Sequence, residues 1–331
     1  MDLSTKAMLA AVHISLWAAR KHDRKASRDV ATLNGANEEA GRYNKRLFCE
    51  APKLDEIQSI AGRIRNYFYR VTLPWSDEGL RILPAELYFE FQAQMRDFAT
   101  EFRYAVDEFL DAYDSYVKEA QPMLGNLFRL KDYPSAEKLK EKFAFRPEIL
   151  PIPTGDDFRV NLSEDEQARI ARDIDASTRT AIGDGMRDLW TRLYDVTNHM
   201  ASRLADPEAR FHGTLVSNVS DLVELLPRLN IVGDPHLASL TEQVRKQLCQ
   251  HSADLLRNNP TTRIETAASA AAIARTIAGV LAIDQTPAEP SQIDAAGSAP
   301  LFDTPASTEE SIENETSSIL DHMAAYMGVP A

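Results

Sequence analysis

The chain of 331 residues is poor in the features that announce a chemistry. It has two cysteines, Cys49 and Cys249, too few and too far apart for a disulfide framework or a structural zinc site, so a reducing, cytoplasmic setting is expected. No G-x-x-x-x-G-K-S/T loop is present to cradle phosphates, and Gly183-x-Gly185 lacks the third glycine of a dinucleotide fingerprint. The seven histidines form no H-x-x-x-H pair and no E-x-x-H pairs of the di-iron bundle kind. No apolar run approaches the ~18 residues that span a bilayer, and Met1–Trp17 lacks a signal-peptide cleavage site. The expectation is a protein with no catalytic, cofactor-binding or metal-ligating residues, no cofactor and no membrane partner. The acidic stripe Asp107, Asp111, Asp114 reads as a hydrated helix face, and Asp195 with His199 as a surface hydrogen bond.

Glycine is also scarce, 13 residues, while Ala, Leu, Glu, Asp and Arg are abundant, a balance that favours helix. From Phe91 the positions Met95, Phe98, Phe102, Ala105, Phe109, Ala112 and Tyr116 recur at alternating spacings of four and three. That pattern predicts one long helix over 85–121, with a coiled-coil-like seam whose aromatics demand wider spacing than a leucine zipper. Ser163 with Glu166 opens a second over 163–206, with a kink or register shift expected at Gly183–Gly185. Further helices are read over 26–33, 52–70 and 209–283, with Asp234 and Asn259 as caps. Alternation in 8–17 suggests a strand, an Ala-rich helix being the competing reading. The stretches 71–84 and 144–162 read as short strands. The predicted architecture is mainly α with some β (α+β): one domain over 1–283, in which the two long helices form an elongated antiparallel pair or bundle with a small β-containing head.

Charge is distributed unevenly. The chain carries −13 overall, yet residues 1–75 hold 13 Lys and Arg against 8 Asp and Glu. Arg20, Lys21, Arg24, Lys25, Arg28, Arg42, Lys45 and Arg46 cluster around Tyr43, and this set is the candidate contact for a protein partner or a nucleic acid. Asp23, Asp29, Glu38 and Glu39 dilute it, so a plainly solvated helix face competes with both. From Asp284 onward there is no Lys or Arg and there are nine acids, and residues 284–316 read as a disordered acidic linker. At its end Ile319, Leu320, Met323, Tyr326 and Met327 share one face of a possible short helix over 317–328, a candidate docking peptide. A basic head and an acidic tail also allow self-association.

Three stretches carry a resemblance: "LWAARKHDRKASRDVATLNGA…AGRYNKRLF", "PWSDEGLRILP" and "LVELLPRLNIVGDPHL", spread through residues 8–240. They resemble an uncharacterised family of bacteriophages and mobile elements that is often encoded near MoxR-like AAA+ ATPases and von Willebrand factor A-type proteins. The resemblance implies a non-catalytic accessory protein in the cytoplasm of a bacterial host cell, working with an ATPase carried by another chain. It supplies no site residues, and the acidic tail lies outside it.

Overall fold

The computed structural model describes residues 5–76, 79–155 and 163–281. The acidic linker, the candidate docking peptide and the strand expected at 158–162 lie outside them. Among the described residues the protein is mainly helical, with nine α-helices and a small antiparallel sheet in the order β4-β5-β1-β6. The strands are β1 (Ala7–Ser15), β4 (Leu73–Pro74), β5 (Arg81–Pro84) and β6 (Ala144–Leu150). A second, two-stranded ribbon pairs β2 (Arg20–His22) with β3 (Asn44–Arg46). The three stretches expected to hold strands all contribute to the sheet. The chain divides into two compact units.

The first unit comprises Ala11–Arg70 and Phe89–Glu148. It holds α1 (Arg24–Leu33), α2 (Pro52–Val71), α3 (Tyr88–Leu124) and the short α4 (Ala136–Lys140). Helices α2 and α3 run antiparallel: Lys53 pairs with Glu108 at 2.8 Å, Arg63 with Glu101, and the Tyr67 ring meets Phe98 and Phe91 at 5.9 and 6.3 Å. Leu54, Ile57, Ile60, Ile64 and Phe68 of α2 bury a stripe at helical spacing. The α3 seam is buried from Phe91 through Phe109, then passes to Tyr113 and Ala120 in place of Ala112. A straight helix drifts by ~20° per heptad, so a seven-residue repeat cannot stay on one face unless the helix supercoils.

The end of this core is aromatic. Trp17, Phe48, Phe109 and Tyr113 meet at 5.7–6.4 Å, edge to face except for the tilted Trp17–Phe109 pair, and edge-to-face contact is a geometry that ring quadrupoles favour. Tyr113 donates to the carbonyl of Pro134 at 2.9 Å and Tyr133 to that of Leu47 at 2.8 Å. Burial pushes both phenols up to about 12. These two hydroxyls pin the loop between α3 and α4.

Of the described residues, the second unit takes those up to Ala10, those of Val71–Tyr88 and those from Ile149 to Leu281. Its core is α5 (Glu164–Ala205), packed against α6 (Thr214–Leu229) and α9 (Pro260–Leu281), with α7 (Pro235–Leu248) bridging α6 and α9 and α8 (Ala253–Asn258) lying on α9. The Arg263 guanidinium donates to the Leu204 carbonyl at 2.9 Å, tying the start of α9 to the end of α5, and the two then run antiparallel. Ala267, Ala270, Ala274 and Ala278 are buried along α9, and small side chains let the backbones approach closely. By length and composition α9 could cross a bilayer, with mean hydropathy 1.3 over its best window, against the expectation of no such run. Its buried alanines and Ile273 and Ile277 are used for packing on its neighbours here.

The long helices expected over 85–121 and 163–206 are present as α3 and α5, one in each unit. Each has its antiparallel partner within its own unit, α2 for α3 and α9 for α5. Helix α5 continues as helix through Gly183–Gly185, and a Cβ on Gly185 would meet Leu73 of β4 at 3.4 Å, an ordinary van der Waals contact. Only half of the Ser163 capping box is made: Ser163 accepts from the Glu166 amide, whereas the Glu166 carboxylate turns to Arg169.

Candidate functional site

The basic stretch folds into a ledge on the first unit. Asp23 caps α1, its Oδ1 accepting from the amides of Lys25 and Ala26 at 3.1 Å each. A strap after the 3-10 turn Glu38–Ala40 then returns along the helix. The Tyr43 amide donates to Ser27 Oγ at 3.0 Å, and the Tyr43 carbonyl accepts from the Asp23 amide at 3.0 Å. The backbone of Tyr43 is thus held on both sides while the residue stays 41% exposed. The ribbon places Arg20 opposite Arg46 and Lys21 opposite Lys45.

Lys45 does not belong to the surface. It is 2% exposed, with its ammonium 3.2 Å from Asp23 Oδ2 and 2.8 Å from Asp132 Oδ2, and it donates to the Leu127 carbonyl. Its assignment as a partner contact is therefore corrected. It is a buried post that ties the start of α1 to the loop 127–133. The Ala26 amide first, then the Lys45 ammonium, hold the Asp23 carboxyl below its ordinary range, against the opposing effect of burial. Both carboxylates of the post are occupied internally.

That loop brings two cations to the ledge which the sequence reading missed, Arg129 and Lys131. With Lys21, His22, Arg24, Lys25 and Arg28 they line an open hollow of about 640 Å³ whose two acids are Asp23 and Asp132. A second hollow of about 660 Å³ shares His22, Arg24 and Arg28 with it and extends to Arg42, Glu38 and Glu39. A third, of about 320 Å³, shares Ser27, Gly41 and Arg42 with the second; Val30, Ala31, Ala36, Ala40 and Tyr43, with Asn34 and Asn37, complete its mainly apolar lining. The shared residues make one continuous track around α1, cationic for most of its length and apolar at the Tyr43 end. Arg20 and Arg46 stand outside it, bordering a smaller hollow with Phe48 and Gln58.

The electrostatics follow from this accounting. Seven Lys and Arg side chains line the two cationic hollows against four carboxylates, two of which serve Lys45. None of the seven forms an ion pair with a described residue. Some cations elsewhere are paired: Arg63 with Glu101, Lys140 with Asp107, Arg192 with Asp188. Asp107 is thus used by Lys140, while Asp111 and Asp114 remain exposed. Asp195 and His199 are exposed on α5 and make no hydrogen bond to each other. Among the described residues no group of three or more His, Cys, Asp or Glu is placed to hold a metal ion.

No protein-family model, curated protein or solved structure matches this chain.

Proposed function

We propose that the chain is a non-catalytic accessory protein that docks an anionic macromolecular partner on the track around α1. The observation that carries this reading is the set of seven basic side chains, contributed by α1, β2, the strap and the loop 127–133, that the first unit gathers and that form no ion pair among the described residues. Holding like charges together opposes folding unless an anion neutralises them. Two of the four carboxylates along the track, Asp23 and Asp132, pair with the buried Lys45. The phage and mobile-element resemblance agrees with an accessory role beside an ATPase in a bacterial cytoplasm.

The test is retention of the full chain on a heparin column. A chain of net charge −13 should pass through by bulk charge alone, whereas a local cationic track retains it and releases it as salt rises. Substituting Arg24→Gln, Arg28→Gln, Arg129→Gln and Lys131→Gln together should abolish retention without altering the circular dichroism spectrum. Flow-through of the unaltered protein at low salt would refute the proposal.

A further inference from the structure

Resting on that reading, we infer that the partner is a single-stranded nucleic acid, its phosphates on the cationic hollows and a base seated at Tyr43. The argument begins where the track changes character. An anionic peptide needs only the cations. The track instead passes at Arg42 from guanidinium groups into an apolar hollow bordered by a tyrosine whose backbone is fixed by Ser27 and Asp23. A pre-positioned aromatic beside a phosphate-binding groove is the arrangement that reads an unpaired base, because every base offers a face for stacking. Four of the seven cations are arginines, whose planar forks match phosphate and also stack on bases.

The apolar hollow at Tyr43 selects against a duplex. In a double helix the bases are stacked inside and only phosphates and groove edges are presented, so Tyr43 would have nothing to receive. A single strand can splay one base into the apolar hollow while its neighbours keep their phosphates on Arg24, Arg28 and Arg129. Stacking of this kind tolerates any sequence.

The experiment is fluorescence anisotropy of the full chain with a labelled mixed-sequence single-stranded oligonucleotide, the matching duplex, and poly-glutamate. Preferred binding of the single strand, weakening steeply with salt, is the expected result. With about 0.7 of a counterion released per phosphate, the log–log slope should lie at about −3 to −5. Tyr43→Ala should weaken binding by about tenfold or more, and Tyr43→Phe should restore it. Equal binding of poly-glutamate or duplex with no effect of Tyr43→Ala overturns this inference but leaves polyanion docking standing. Failure of all three probes to bind removes both.

Discussion

Lys45 Nζ lies 2.8 Å from Asp132 Oδ2 and 3.2 Å from Asp23 Oδ2, joining two acids that are distant in sequence through one buried cation. An ion pair held out of water repays its desolvation only when every partner is present. The arrangement therefore acts as a clamp: it positions α1 and the loop 127–133, and through them the cations of the track.

Removing the post should be costly. Lys45→Met leaves two buried carboxylates facing each other, and a loss of about 3–5 kcal/mol is expected in urea denaturation. Adding Asp132→Asn to Lys45→Met should recover part of that loss, since one of the two uncompensated charges is then gone. Equal stability of Lys45→Met and the unaltered protein would show that the clamp carries no weight.

The pH dependence has a defined sign at both ends. The Asp23 carboxyl is held below its ordinary value of 3.8, so its contribution is complete above that value and is lost as pH falls through the folded-state value. Asp23→Asn keeps a good cap but loses the charge, so its stability deficit at pH 7 should shrink on acidification below pH 3.8. Tyr113 and Tyr133 hold their protons up to about 12 against an ordinary 10, so their contribution is full below pH 10 and lost between 10 and 12. Tyrosinate absorbance should show a late-titrating fraction that Tyr113→Phe and Tyr133→Phe each reduce.

Arg129 and Lys131 belong to the docking surface although they lie far from the basic stretch in sequence. Arg129→Gln with Lys131→Gln should leave thermal unfolding unchanged and reduce the magnitude of the log–log salt slope for single-strand binding by about 1.4, two contacts at ~0.7 each. An unchanged slope would confine the surface to α1 and the strap.

Gly185 is open to a graded test. A Cβ there meets Leu73 at 3.4 Å, an ordinary van der Waals contact, while alanine gains up to about 1 kcal/mol of helix propensity over glycine. Gly185→Ala should be neutral or stabilising, and Gly185→Leu should cost about 1–3 kcal/mol by overpacking against β4. Identical stabilities for the two would mean that β4 does not approach the helix at this point.

The course of the chain was readable where a local pattern determined it. Alternation at Val12–Ser15, the spacing from Phe91 to Phe109, and the caps at Ser163, Asp234 and Asn259 all correspond to elements at the expected places. The partners within each unit, α2 for α3 and α9 for α5, were not legible. The stripes of α3 and α5 have compatible spacing, yet a stripe specifies a face and not the helix that covers it; α2 and α9 carry equally suitable stripes. The ribbon of Arg20–His22 and Asn44–Arg46 went unseen because its residues show no alternation of polar and apolar character.

The candidate site divided in the same manner. Arg24, Lys25, Arg28, Arg42 and Tyr43 were readable as a local cluster of charge and aromaticity, and they do line the track. Lys45 looked the same in sequence. Its burial depends on Asp132 and Leu127, contacts that no local pattern encodes, and Arg129 and Lys131 arrive by that same long-range pairing.

Hydrogen–deuterium exchange of the full chain, with and without a saturating polyanion, tests the central claim most directly. The account predicts slowed exchange in residues 22–43 and 127–133 and no change in α5 or α9. Protection confined to other segments, or none anywhere under conditions where the polyanion is bound, would contradict it.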